Sequence, residues 1–447
     1  MLIKNCKILL SGSETTSVDI GVDEGRIKKI SKIVNQPSDL VIDAKDKFVM
    51  PGAVDPHVHF DEPGFTFRED FAHGSAGAAA GGITTVIDMP CTSLPPVTSL
   101  RALENKLGVI KNESHVDYTL FGGVSGSSTD FLKKMKELEE RVVGYKIYDT
   151  SSIETLKRVN KGQMLDILTN TRKVVALHAE DFETILYFTK KYHGRKDSTF
   201  WAKARPPIAE LISVGSALDI AKQTKGRLHI VHLSSGNGTK EIERRKKEGV
   251  NVSVETCPHY LLLNERDLKE KGALAKTSPP VRSERDNEIL WNMLGRGVID
   301  FVASDHAASD WDIEKKNKSI WDAYSGIAGV ETLAHLVLSE GFNKQRITLE
   351  RTVEVLSTSA AKRYGLYPRK GSVSIGSDAD LALIDLRKEW VFNASEMKSK
   401  CKHSPFDGWK MRGKIEKTIL RGEVVCTEGE IVGREGYGKF LEVNRNR

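Results

Sequence analysis

His57 and His59 stand two residues apart after Asp55-Pro56, at the end of an apolar run. On an extended strand, residues i and i+2 point to one side, so both imidazoles can bind one metal ion. Four further residues each close a strand-like apolar run of their own. Lys146 follows 142–145, His178 follows 174–177, His232 follows 229–231 and Asp305 follows 299–304. Imidazole and carboxylate suit zinc or another first-row divalent ion. An ammonium cannot ligate a metal. Lys146 is therefore either a structural or substrate-contacting cation, or a lysine that CO2 has converted to a carbamate whose two oxygens could bridge two ions. Two ions at bridging distance would acidify a shared water to hydroxide near neutral pH. Asp305 could take a proton from that nucleophile and return it to a leaving nitrogen. The chemistry these residues permit is hydrolysis.

Positioning them requires strands that end at one level. Apolar runs at 48–54, 83–89, 116–121, 142–148, 173–178, 227–233, 251–255 and 298–304 alternate with helical stretches, the mark of a parallel α/β sheet. Eight is the barrel number, and a (β/α)8 barrel carries its active site at the C-terminal strand ends. The metal-capable residues fall there, after runs one, four, five, six and eight. Residues 1–50 and those after about 365 alternate instead, as in Ser17-Val18-Asp19-Ile20-Gly21-Val22 and Lys417-Thr418-Ile419-Leu420. Neither flank makes a robust sheet alone. The expected fold is α/β: a (β/α)8 TIM-like barrel over 51–365, with a small β-sandwich built from both chain ends, 1–50 and 366–447.

A chain of 447 residues has room for both units. Its net charge of +6 is modest and the basic residues are interspersed with acidic ones, which argues against nucleic-acid binding. The five cysteines are scattered and form no Cys-x-x-Cys pair, as expected of a reducing cytoplasm. The N-terminus lacks a signal-peptide pattern, and no apolar run approaches the roughly 20 residues of a membrane span. A soluble cytoplasmic protein with no membrane contact is expected.

The motifs Pro51-Gly52-Ala53-Val54-Asp55-Pro56-His57-Val58-His59, Gly81-Gly82-Ile83-Thr84-Thr85, Gly144-Tyr145-Lys146, His178-Ala179-Glu180, His229-Ile230-Val231-His232, Glu255-Thr256-Cys257-Pro258-His259 and Ser304-Asp305-His306 resemble the cyclic amidohydrolases of the amidohydrolase superfamily. That group contains allantoinase, dihydropyrimidinase (hydantoinase) and dihydroorotase. The resemblance implies a binuclear centre of two divalent ions, zinc foremost, held by His57, His59, Lys146 as its carbamate, His178, His232 and Asp305, with Asp305 as acid and base. It also implies a small cyclic ureide or amide as substrate, and a homodimer or homotetramer.

Among subfamilies, dihydroorotases carry an arginine two residues after the second histidine, where this chain has Asp61, a charge that would repel an anionic ring. Hydantoinases resemble Ser278-Pro279-Pro280 but place a tyrosine where Ser151 stands. Segments 255–260, 274–280 and 403–406 resemble allantoinases, so opening of allantoin to allantoate by a metal-bridging hydroxide is the expected reaction. Dihydroorotase and hydantoinase are the alternatives, and a non-catalytic scaffold is disfavoured because every ligand is present. By resemblance, Ser278, Asp61 and the backbone from Gly326 to Gly329 would meet the substrate. Cys91 and Cys257 are expected to be buried packing residues. His306 is expected to support the site or a structural bond. Segment 310–325 is expected to be a lid or a surface helix.

Overall fold

Residues 1–9, 14–150 and 155–442 are described by the structure, a computed structural model. The chain opens with five strands: β1 (Leu2–Leu9), β2 (Thr15–Asp23), β3 (Arg26–Ser31), β4 (Val41–Asp43) and β5 (Phe48–Pro51). Beyond Gly52 burial becomes continuous. β6 (Ala53–His59) and β7 (Ile83–Asp88) are buried at every residue, as strands covered on both faces must be. β8 (Asp117–Leu120), β9 (Gly122–Gly123), β10 (Gly144–Tyr148), β11 (Val174–His178), β12 (Arg227–Ile230), β13 (Val252–Thr256), β14 (Phe301–Val302) and β15 (His306–Ala307) follow.

Every pairing among these strands is parallel. β8 and β9 form one strand interrupted at Phe121, and β14 and β15 form another interrupted at 303–305. The circuit therefore returns to its start through His306↔Val58 and Ala307↔His59, closing an eight-membered barrel. Helices carry the chain back between strands. Phe71–Ala80 begins at Asp70, whose carboxylate accepts from the His73 amide, and it ends at Gly81, after which Gly82, at φ 77°, turns the chain into β7.

Two expected runs differ from the observed strands. Run 48–54 is divided, because Phe48–Pro51 pairs in the terminal sheet and the first barrel strand begins at Ala53. Gly52 marks the division: a Cβ there would meet Thr84 Oγ1 at 2.2 Å, so only glycine permits this approach to β7. Run 298–304 pairs only at Phe301–Val302, because Asp305 adopts φ 46° and breaks the ladder before His306 resumes it.

The C-terminal strands are β16 (Leu381–Val391), β17 (Lys410–Leu420), β18 (Glu423–Thr427) and β19 (Glu430–Ile431). They join the N-terminal strands in one nine-stranded sheet, ordered β19-β18-β17-β16-β5-β1-β2-β3 with β4 beside β1. The two ends of the chain meet where β5 runs antiparallel to β16, from Phe48↔Ile384 to Pro51↔Leu381. Ile3, Ile8, Ile20, Ile27, Leu381, Leu383 and Ile419 share the core of this unit. Between sheet and barrel, Lys370 is buried among Asp117 (2.6 Å), Asp380 (2.5 Å) and Asp378 (3.0 Å), and Arg421 also pairs with Asp117. Among the described residues no helix is long and apolar enough to cross a membrane.

Candidate active site

The C-terminal ends of β6, β10, β11, β12 and the interrupted eighth strand bring His57, His59, Lys146, His178, His232 and Asp305 to one cavity. His57 Nε2 and His59 Nε2 lie 3.2 and 3.4 Å from Asp305 Oδ1. Lys146 Nζ lies 3.5 Å from His57 Nε2. The His232 ring is 4.5 Å from that of His178 and 5.4 Å from that of His57. His232 and Asp305 both adopt left-handed backbone, at φ 40° and 46°. Such strained conformations in non-glycine residues concentrate at functional sites.

Partners behind the imidazoles decide which nitrogen faces inward. Glu255 takes His57 Nδ1 at 2.5 Å and also bonds His229 Nε2 at 3.1 Å. Thr92 Oγ1 is 3.2 Å from His59 Nδ1, and Glu180 is 2.7 Å from His178 Nε2. In each ring the other nitrogen is left for the centre, the arrangement in which an outer hydrogen bond orients a metal-binding imidazole. Arg205 in turn holds Glu180 at 2.5 Å. Asp55 ties the first strand to the eighth by accepting from the Ser304 amide at 3.1 Å.

Burial pushes His57 and His232 well below the ordinary imidazole range, and burial also lowers His178 against the pull of Glu180. Neutral imidazoles carry the lone pairs that a metal needs. Burial likewise lowers the Lys146 ammonium, against Cys91, Asp305 and Glu255, which favours the neutral amine that can add CO2. His232 Nδ1 is buried without a partner. The donor set and this orphaned nitrogen fit a metal centre. Asp305, His57 and His59 place three ligand atoms within 4.8 Å of one another.

The cavity measures about 740 Å³. Ser278 lines it, its hydroxyl 2.9 Å from Ser325 Oγ. Two of the expected substrate contacts lie outside the lining of this cavity. Asp61 does not line the cavity: a left-handed turn at φ 54° leaves its carboxyl fully buried with neither oxygen bonded, and burial lifts it well above the carboxylate range. Gly329 is also outside the lining. A Cβ there would stand 3.0 Å from the Ser304 carbonyl, so this glycine serves packing against the eighth strand, and Gly326 and Ile327 form the wall instead. Ser151 lies outside the described residues.

Segment 310–325 forms part of the wall. Arg68 grips Glu314 at 2.6 Å, Trp321 Nε1 donates to the Arg195 carbonyl at 2.9 Å, and Trp321, Ala323 and Tyr324 face the cavity. His306 lies behind Asp305, 3.2 Å from Glu69 and accepting from the Val330 amide. Cys91 does more than fill space, since its thiol is 3.1 Å from the Tyr148 hydroxyl and 3.7 Å from His59 Nδ1. Sequence reasoning assigned no role to Glu255, Glu180 or Thr92. Glu255 carried a signal, as a carboxylate inside an otherwise uncharged strand buried on both faces.

The amidohydrolase family model matches residues 48–425. The chain is 36% identical to an L-hydantoinase of Paenarthrobacter aurescens over 99% of its own length and 97% of that protein. It is 33% identical to an allantoinase of Rubrobacter xylanophilus over 100% of its length and 98% of that protein. Its fold is similar to the solved L-hydantoinase (dihydropyrimidinase) from Arthrobacter aurescens, with a TM-score of 0.94, 35% identity and 99% of each chain covered.

Proposed function

Because this chain belongs to the amidohydrolase family of metal-dependent hydrolases, we propose that it opens the ring of a hydantoin-type cyclic ureide by hydrolysing a ring C–N bond. It is a hydrolase of cyclic amides. The observation that carries it is the convergence of four imidazoles, Lys146 and Asp305 on one cavity, with His57, His59 and His178 each held from behind.

His57, His59, His178, His232 and Asp305, with Lys146 as its carbamate, would hold two divalent ions, zinc being the metal that this donor set suits. Bound there, the ions supply Lewis acidity toward the ring carbonyl and lower the pKa of water. Asp305 carries the proton: it accepts one from the attacking water as the new C–O bond forms, and delivers it to the ring nitrogen as the C–N bond breaks. Glu255 and Glu180 keep His57 and His178 in one tautomer throughout. Ser278 and Ser325, whose hydroxyls lie side by side, present donors and acceptors to an amide edge of the ring. Thr92 steadies His59 from the cavity wall.

Likeness of 255–260 and 274–280 to allantoinases points within this class to allantoin, opened to allantoate. The test is turnover of allantoin, hydantoin, dihydrouracil and dihydroorotate, side by side, by metal-loaded protein with Asp305→Asn as the blank. Opening of the five-membered rings that vanishes in the variant is expected. Preference for either six-membered ring would overturn the hydantoin reading.

A further inference from the structure

The cavity wall holds a cation that the reaction above does not use. Among the described lining residues, Arg68 is neutralised by Glu314 and Arg205 by Glu180, while Lys146 belongs to the cluster of ligands. Lys276 is different. Its ammonium donates to the Ala323 carbonyl at 2.5 Å and sits 4.1 Å over the Trp201 ring. Both neighbours line the cavity, which fixes the ammonium in its wall. No carboxylate among the described residues pairs with it, and Asp305 is the one acid among the described lining residues. Behind it, Lys315 is buried and, among the described residues, finds only the Ala273 and Gly326 carbonyls as acceptors, at 2.9 and 2.7 Å. A buried ammonium without a counter-ion is costly unless a ligand supplies one. Burial, then the Lys315 and Arg205 charges, press Lys276 down to about 7, with Asp322 opposing.

Three more observations bear on what that ligand is. Lys276 stands two residues before Ser278, on the edge that would face the ring, and its carbonyl accepts from the Gly326 amide at 3.0 Å. The cavity of about 740 Å³ is larger than a bare five-membered ring fills. Asp61, the acid next to the second histidine in sequence, is buried outside the lining.

We propose that Lys276 recognises a carboxylate, and that the preferred substrate is a cyclic ureide whose ring substituent ends in one. This rests on the hydantoin-ring reading and narrows it. Allantoin, whose ureido arm is neutral, becomes a weaker substrate of the same site.

The experiment compares hydantoin-5-acetate with its neutral isostere hydantoin-5-acetamide. Binding of each to metal-loaded Asp305→Asn protein is measured by calorimetry, and turnover of each is measured with the wild type. The carboxylate is expected to bind about tenfold more tightly than the amide. Lys276→Met in the same background is expected to erase that ratio, and Lys276→Arg, which keeps the charge, to retain part of it. Equal binding of the two compounds, or a preference that survives Lys276→Met, overturns the proposal. Carboxylate-selective binding with no ring opened by the wild type would sustain Lys276 and defeat the hydantoin-ring reading instead, so the two failures are distinguishable.

Discussion

At the scale of single residues, the site depends on side chains that never meet the substrate. Glu255 is fully buried, bonds both His57 and His229, and is lifted to about 8 by burial, against Lys146. Its replacement by Ala should weaken metal affinity about 10–100-fold, read by competition with a chelator. An unchanged affinity would show that His57 holds its tautomer unaided. Lys146→Ala should abolish ring opening and lower the metal content, and short carboxylic acids should restore part of both by standing in for the carbamate. Full activity in that variant would remove the bridging role. His57 and His59 were legible because a strand fixes the direction of residues i and i+2. The roles of Glu255 and Thr92 were not, because a carboxylate or hydroxyl behind a ligand obeys no spacing rule and is brought there from other parts of the chain, and Glu180, two residues after His178, has nothing in its type to tell a partner of that ring from a ligand. The setting of Asp61 was hidden for a related reason: position beside a ligand says nothing of a left-handed turn that leaves the carboxyl buried outside the cavity lining.

At the scale of elements, all eight expected barrel runs overlap strands of the barrel, and the first, 48–54, straddles Gly52. That division was hidden because the apolar run is continuous in sequence, while the need for glycine comes from Thr84 on a neighbouring strand. Segment 310–325 has no period to read, and its place is set by Arg68–Glu314 and by Trp321 on Arg195. Attachment of the segment around 397–402 has a consequence for pH. Partly buried Glu331 accepts from the Lys398 amide at 2.7 Å, and burial raises its carboxyl from 4.5 to about 7 against that bond and the Lys398 charge. The folded state therefore keeps a proton that the unfolded chain releases. The stability this contributes is fully present below pH 4.5 and is lost as pH rises to about 7. The melting temperature should fall less between pH 5 and 7 in Glu331→Gln than in the wild type. Equal slopes would mean that the carboxyl ionises as freely in the fold as in the open chain.

At the scale of the whole molecule, the terminal sheet and the barrel are locked by charge as well as by packing. Lys370 is 1% exposed and meets three aspartates, one from β8 and two from the approach to β16. Removing one partner of a buried network strands the others, at about 3–5 kcal/mol. Lys370→Met should lose that much in denaturant unfolding while the ring-opening rate of the folded fraction holds. A loss below about 1 kcal/mol would reduce the network to surface behaviour. Pairing of the two chain ends was legible from alternation and from the small size of each flank, whereas the single nine-stranded sheet was not, since strand order depends on contacts between residues more than three hundred positions apart. Ring opening as proposed rests on the metal centre. Its most direct test is the rate of hydantoin ring opening by protein stripped with a chelator and titrated with zinc. The rate should be negligible in the stripped protein and should rise to a plateau at two equivalents per chain. Full activity after stripping, or an inert protein holding two zinc ions, would contradict it.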